Sequence, residues 1–157
     1  MRARDLAQDY EAVRLTGDAM EAARLMAEHR LPGLLVLDDS DEPTAILPAS
    51  QLIKMLVPPY VLEDPTLAAV IDERHADRLC ESLRGRRVAD CLSRTATPPP
   101  IAAPDDTAVE VAALMAQARS PLVAVVDRDR DGARLLGVIT ALHLLNALLE
   151  AANPGER

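Results

Sequence analysis

The side chains able to do chemistry are few and scattered. Cys80 and Cys91 lack CxxC spacing, so they read as two reduced, half-buried thiols of a cytosolic protein and not as a redox pair. His29, His75 and His143 form no HxxxH pair and no His/Cys cluster, the arrangement that a zinc site requires. The carboxylates gather in Asp38-Asp39-Ser40-Asp41-Glu42 and in Asp105-Asp106. The first run lacks the glycine and closing glutamate of a calcium loop and reads as a solvated turn. Ser93 and Thr95 form no nucleophile–base set, and no GxSxG, HExxH or P-loop motif occurs. Met20, Met26 and Met115 lie on helix faces and read as core. The expectation is a protein that binds and does not catalyse, with no metal and no required cofactor.

The scaffold for these residues must be aliphatic. Of 157 residues 49% are apolar, yet aromatic residues make up 1% and Phe and Trp are absent, so the core is Leu, Val, Ile, Ala and Met. Without aromatic platforms single-stranded nucleic acid has nothing to stack on, and a net charge of −8 repels its backbone, so no nucleic-acid partner is expected. No apolar run has the length of a membrane span, and Met1-Arg2-Ala3-Arg4-Asp5 does not lead into a signal-peptide core. A cytoplasmic protein without direct membrane insertion is expected.

An internal repeat organises the chain. The stretch 19–32 lies over 108–121 at a constant offset, Met26 falling on Met115 and Pro32 on Pro121. Ala19, Ala22, Ala23 and Met26 form one helix face, and Ala108, Val111, Ala112 and Met115 repeat it. Asp18 and Thr107 stand at the N-caps, with Glu21 and Glu110 at capping-box spacing. Pro32 and Pro121 end the helices. Apolar strands follow, Leu34-Leu35-Val36-Leu37-Asp38 and Val123-Ala124-Val125-Val126-Asp127, each with the continuous run of a strand buried on both faces. Polar turns at 38–43 and 127–132 lead to second strands at 44–47 and 135–139, then to apolar helices at 50–56 and 141–149. Each copy is thus strand–helix–strand–strand–helix. Val88-Ala89-Asp90-Cys91-Leu92 echoes Ala3-Arg4-Asp5-Leu6-Ala7, so the lead-in is duplicated too.

Between the copies Pro58-Pro59 breaks the chain and Asp64-Pro65 has the form of an N-cap followed by a first-turn proline. Leu67, Val70, Ile71, Leu79 and Leu83 suggest amphipathic helix interrupted near 72–75, with Gly85 as its stop. The expected division is 1–57 for the first repeat, 58–86 for a helical linker, 87–152 for the second repeat and 153–157 for a C-terminal tail. A connection as long as 58–86 usually serves something, either a docking surface or a helical brace.

The lead-in Val88-Ala89-Asp90, the Pro104-Asp105-Asp106-Thr107 entry to the helix, Ser120-Pro121 before the buried strand, and Leu136-Gly137-Val138-Ile139-Thr140 together resemble the CBS domain, named after cystathionine β-synthase, in its tandem arrangement. The resemblance implies an α/β (α+β) fold of two pseudo-symmetric β-α-β-β-α units packed through their sheets, and a homodimer. It also implies clefts between the copies for an adenosine-containing ligand: AMP, ADP, ATP, S-adenosylmethionine or cyclic di-AMP. Because the repeats fill the chain, the regulated effector, an enzyme or a membrane transporter or channel, would be a separate protein.

The family's ligand signature is a Thr or Ser at the end of the second strand and an Asp three residues later. Thr140 matches the first, and His143 stands at the second; in the first copy the positions hold Pro48 and Gln51. A helix N-terminus attracts phosphate, and His143 or Gln51 would bond one ribose hydroxyl more weakly than a carboxylate holds two. The loops Arg30-Leu31-Pro32 and Arg119-Ser120-Pro121, with Ile101, would line the cleft mouths. Arg30 and Arg119 read equally well as phosphate ligands or as solvated side chains closing a helix. Arg94 is a further phosphate candidate. The alternative is a ligand-free dimeric scaffold with degenerate nucleotide sites.

Overall fold

The structure, a computed structural model, describes residues 1–155; of the expected tail 153–157, residues 156 and 157 lie outside the described residues. Each repeat forms its own three-stranded sheet and its own aliphatic core, the mixed α/β class expected. Among the described residues the compact units are 11–36 with 45–96, and 1–10 with 37–44 and 97–155.

In the unit of the first repeat the sheet order is β1 (Ala12–Arg14), β2 (Gly33–Leu37), β3 (Pro43–Pro48). Helix α2 (Ala19–Glu28) starts where Asp18 accepts the Glu21 N–H at 3.0 Å, and it buries Ala19, Ala22 and Met26, the face expected from the spacing. Helix α3 (Ala49–Leu56) follows β3 directly, with Pro48 as an N-cap that has no side-chain acceptor. Leu34, Val36 and Leu47 are fully buried in this core.

The unit of the second repeat repeats the plan. Strand β4 (Ile101–Ala102) pairs parallel with β5 (Leu122–Asp129), which pairs antiparallel with β6 (Gly132–Thr140). Helix α7 (Ala108–Ala118) carries a complete capping box: Thr107 accepts the Glu110 N–H at 3.2 Å, and Glu110 accepts the Thr107 N–H at 2.7 Å. Helix α8 (Ala141–Ala152) follows β6 directly. Leu122 to Val126 are all buried, on both faces of β5.

Three features differ from the sequence expectation. The polar stretch 127–132 is not all turn. The ladder continues through Asp127↔Arg134 and Arg128↔Ala133 to Asp129↔Gly132, because cross-strand pairs of opposite or neutral type suit an exposed hairpin, and only Arg130-Asp131 turn. The segment 58–86 is not one interrupted helix. It breaks into α4 (Pro59–Glu63), a 3-10 turn (Pro65–Val70), α5 (Glu73–Ala76) and a second 3-10 turn (Leu79–Leu83). Asp64 and Asp72 cap new starts by accepting from the N–H groups of Thr66 and Arg74, and Pro65 has no N–H to carry α4 onward.

The lead-ins are the third. Helix α1 (Ala3–Leu6) belongs to the second repeat's unit, where the Ala3 N–H bonds Asp106 O at 2.8 Å and Arg4 N–H bonds Pro104 O at 3.0 Å. Gln8 and Val138 exchange both backbone bonds, at 3.0 and 2.9 Å. Helix α6 (Val88–Cys91) belongs to the first repeat's unit, where the Val88 N–H bonds Gly17 O at 2.8 Å and Ala89 N–H bonds Leu15 O at 3.0 Å. Each lead-in is closed alike, Asp5 and Asp90 accepting the N–H of Arg2 and Arg87 at 3.0 Å. The duplicated lead-ins are thus exchanged between the repeats.

Candidate functional site

In the second repeat the strand-to-helix junction gathers five of the residues singled out, Thr140, His143, Arg119, Ser120 and Pro121. Thr140 closes β6, pairs with Leu122, and is the N-cap of α8, its Oγ1 accepting the His143 N–H at 3.2 Å. The hydroxyl accepts in this bond, so its own proton remains able to be donated to a phosphate oxygen. The next N–H, of Ala141, bonds Pro121 O at 2.9 Å, and this bond ties the Arg119-Ser120-Pro121 loop to the start of α8. Thr140 and His143 are half-buried while Arg119 and Pro121 are exposed, an edge open to a ligand. The Ser120 hydroxyl donates to Leu122 O at 2.7 Å and holds the loop's shape. Ile101 sits beside Ala124, deeper along the sheet than the Leu122↔Thr140 pair.

Arg119 occupies the left-handed region (φ 50°, ψ 37°) at the end of α7. Its N–H bonds Ala116 O and the Ser120 N–H bonds Met115 O, the paired bonds of a Schellman ending, normally built on glycine. Arg30 does the same at φ 52°, with the Leu31 N–H on Met26 O at 2.9 Å. Both helix endings therefore place an arginine in a backbone state that an L-residue adopts at a cost of about 1 kcal/mol.

In the first repeat the junction is the same in backbone and poorer in side chains. The Ala49 N–H bonds Pro32 O at 2.9 Å, so Arg30, Leu31 and Pro32 lie against the start of α3 as their counterparts lie against α8. Pro48 offers no hydroxyl, and Gln51, half-buried in the first turn of α3, opens onto a groove along that helix. Arg94 lies in that same groove and belongs to the first repeat's unit, whereas Thr140 belongs to the second's.

The two cysteines are unlike each other and not both half-buried. Cys80 is exposed, whereas Cys91 is fully buried in the first core because α6 is packed there. Burial pushes the Cys91 thiol up, against a smaller lowering by the Arg86 guanidinium, so it stays protonated at neutral pH. Among the described residues no three of His, Cys, Asp and Glu gather as a metal site needs, and no helix is long and apolar enough to cross a membrane.

The CBS domain family matches twice, over residues 3–58 and 88–150. The chain belongs to the CBS-domain family. A CBS domain-containing protein of unknown function from Kribbella flavida DSM 17836 is 44% identical, with 95% of this chain and 99% of that chain covered and a TM-score of 0.86. CBSX2 from Arabidopsis thaliana is 20% identical over 97% of this chain and 96% of its own, with a TM-score of 0.69. The structure of CBSX2 in complex with AMP aligns at 21% identity over 96% and 98%, with a TM-score of 0.64. The cytosolic domain of the Mg2+ channel MgtE in complex with ATP is 24% identical over 93% of this chain and 48% of its own, with a TM-score of 0.58. No curated protein matches the sequence.

This CBS pair holds two features that sequence reasoning missed. One is the left-handed backbone of Arg30 and Arg119, which the absence of glycine after each helix hides. The other is the groove along α3, whose far wall comes from residues 59–86, which lie between the two family matches.

Proposed function

We propose that this CBS pair is a regulatory module that binds an adenosine-containing ligand at the Thr140 edge of its second repeat and thereby controls a separate enzyme or transporter. AMP, ADP, ATP and cyclic di-AMP are the ligands in view. The reading rests on one observation: the Thr140 hydroxyl, the α8 N-terminus and the Arg119–Pro121 loop are joined by the Ala141 N–H to Pro121 O bond. A phosphate there would meet a hydroxyl proton, the positive end of a helix dipole and the exposed Arg119 guanidinium. His143 would bond one ribose hydroxyl. The complexes of CBSX2 with AMP and of MgtE with ATP support the choice of ligand class. No catalytic role is assigned, since the site offers no nucleophile with a base beside it.

The test is thermal unfolding with AMP, ATP or cyclic di-AMP. Ligand at a hundred times Kd adds about 2.7 kcal/mol, which raises Tm by roughly 5–10 °C for a chain of this size. Thr140→Ala abolishes most of the shift. Flat melting across all three ligands refutes the reading.

A second reading, a ligand-free dimeric scaffold, draws on Pro48 and Gln51 in the first repeat and on the outer face of α8. There Leu142 (74% exposed), Leu145 (52%) and Leu149 (55%) form an apolar stripe suited to a second copy of the chain. Leu145→Glu would then yield monomers in sedimentation, with ligand-induced melting shifts absent in every variant.

A further inference from the structure

We propose that the groove along α3 is a separate recognition site for a small polyanion, a molecule carrying two or more phosphate groups. The cavity measures about 770 Å³ and is walled by α3 on one side, by the segment 58–86 on another, and by residues 92–94 on the third. That volume falls within the range of small-molecule sites. Lys54, Arg78, Arg86 and Arg94 line it, with His75 as a further nitrogen donor, and no carboxylate lines it. The chain as a whole carries 17 Lys and Arg against 25 Asp and Glu, so a groove of four cations and no acid runs against its composition. Lys54 is the chain's only lysine.

The sorting of charge is sharpest in the bridging segment itself. Among Asp72, Glu73, Arg74, His75, Asp77, Arg78 and Glu81, only His75 and Arg78 line the groove; the four acids and Arg74 are exposed outside it. Among the described residues none of the four cations makes an ion pair, although acids lie within a few positions of Arg78, Arg86 and Arg94 in sequence. Like charges converging without a counter-charge repel one another, and an arriving polyanion relieves that repulsion. The wall is braced for the task. The Ser82 hydroxyl lies 2.8 Å from Leu79 O and 3.3 Å from Met55 O, which clasps the second 3-10 turn against α3. Arg78 and Arg86 belong to residues 59–87, outside both family matches, whereas Gln51, Lys54 and Arg94 lie within them, so the bridge supplies half of the groove's four cations.

The test is titration calorimetry with inorganic tripolyphosphate at low ionic strength, on the full chain. Saturable binding is expected. The double variant Arg78→Gln/Arg94→Gln weakens it by about tenfold for each guanidinium removed, the loss of a charge-assisted hydrogen bond apiece. Both side chains are exposed, so the variant keeps its urea midpoint, measured alongside. Thr140→Ala leaves tripolyphosphate affinity unchanged, and the Arg double variant leaves AMP melting shifts unchanged. The proposal is overturned if the natural chain shows no saturable binding, or if the double variant binds as tightly. It is also overturned if Thr140→Ala loses as much, since the anion would then sit at the α8 terminus.

Discussion

Gly137→Ala tests whether the N-terminal lead-in is truly stitched to the second repeat. A Cβ built on Gly137 would stand 2.6 Å from the Gln8 carbonyl oxygen and within 3.1 to 3.2 Å of its C and N atoms. All three are backbone atoms, so no flexible side chain can yield. Gly137 also has φ +156°, a state rare for L-residues. Relief requires the lead-in to lift away, which breaks the reciprocal Gln8–Val138 bonds of 3.0 and 2.9 Å. Overpacking costs about 1–3 kcal/mol and each lost backbone bond about 1 kcal/mol, so a destabilisation of roughly 3 kcal/mol is expected. With a urea slope of about 2 kcal/mol/M the midpoint falls by roughly 1.5 M. Hydrogen exchange should show the Gln8 and Val138 amides losing protection ahead of the α7 amides. Gly132→Ala is the control: φ is +129° but nothing lies within 4 Å, so only backbone strain, about 1–3 kcal/mol, applies, with no clash. If Gly137→Ala costs less than Gly132→Ala, the close crossing of the lead-in over β6 is wrong.

Further expectations follow from the caps, the helix endings and the core. The hydrogen bonds from Thr107 hold the Glu110 carboxyl below the usual carboxylate range, so its contribution is complete above the unfolded-state value and fades as pH falls through the depressed folded one. Glu110→Gln should therefore flatten the acid limb of the stability–pH curve, and parallel limbs for the two proteins would contradict this. Arg119→Gly relieves the left-handed backbone at the end of α7 while loosening the unfolded chain, for a net gain of about 0.5 kcal/mol in urea unfolding and a weaker response to AMP. A loss of stability would count against the Schellman ending. Leu47→Ala, at a fully buried site of the first core, should cost about 3 kcal/mol, whereas Val70→Ala, 77% exposed, should stay within about 0.5 kcal/mol; similar losses would refute the placement of the core.

Much of this fold could be read because the repeat carries its punctuation with it. Asp18 and Thr107 at the N-caps, the Ala/Met faces of α2 and α7, and the apolar runs of β2 and β5 each state one local preference, and no distant contact overrides them. The exchange of lead-ins could not be read, because a repeat shows order along the chain and says nothing of which copy a four-residue helix packs on. The bridge failed differently: Leu67, Val70 and Leu79 suggest helical period, but Asp64, Pro65 and Asp72 restart the chain every few residues and local capping wins. At the site, the tie between Pro121 and Ala141 depends on strand register, and the charge sorting around α3 depends on which way short turns face. Neither is a property of residue spacing.

Titration calorimetry of AMP into the full chain reaches the main claim most directly. The account predicts saturable binding at one site per chain, lost in Thr140→Ala and kept in Gln51→Ala. Absence of any heat of binding with AMP, ATP and cyclic di-AMP alike, or binding indifferent to Thr140, would contradict it.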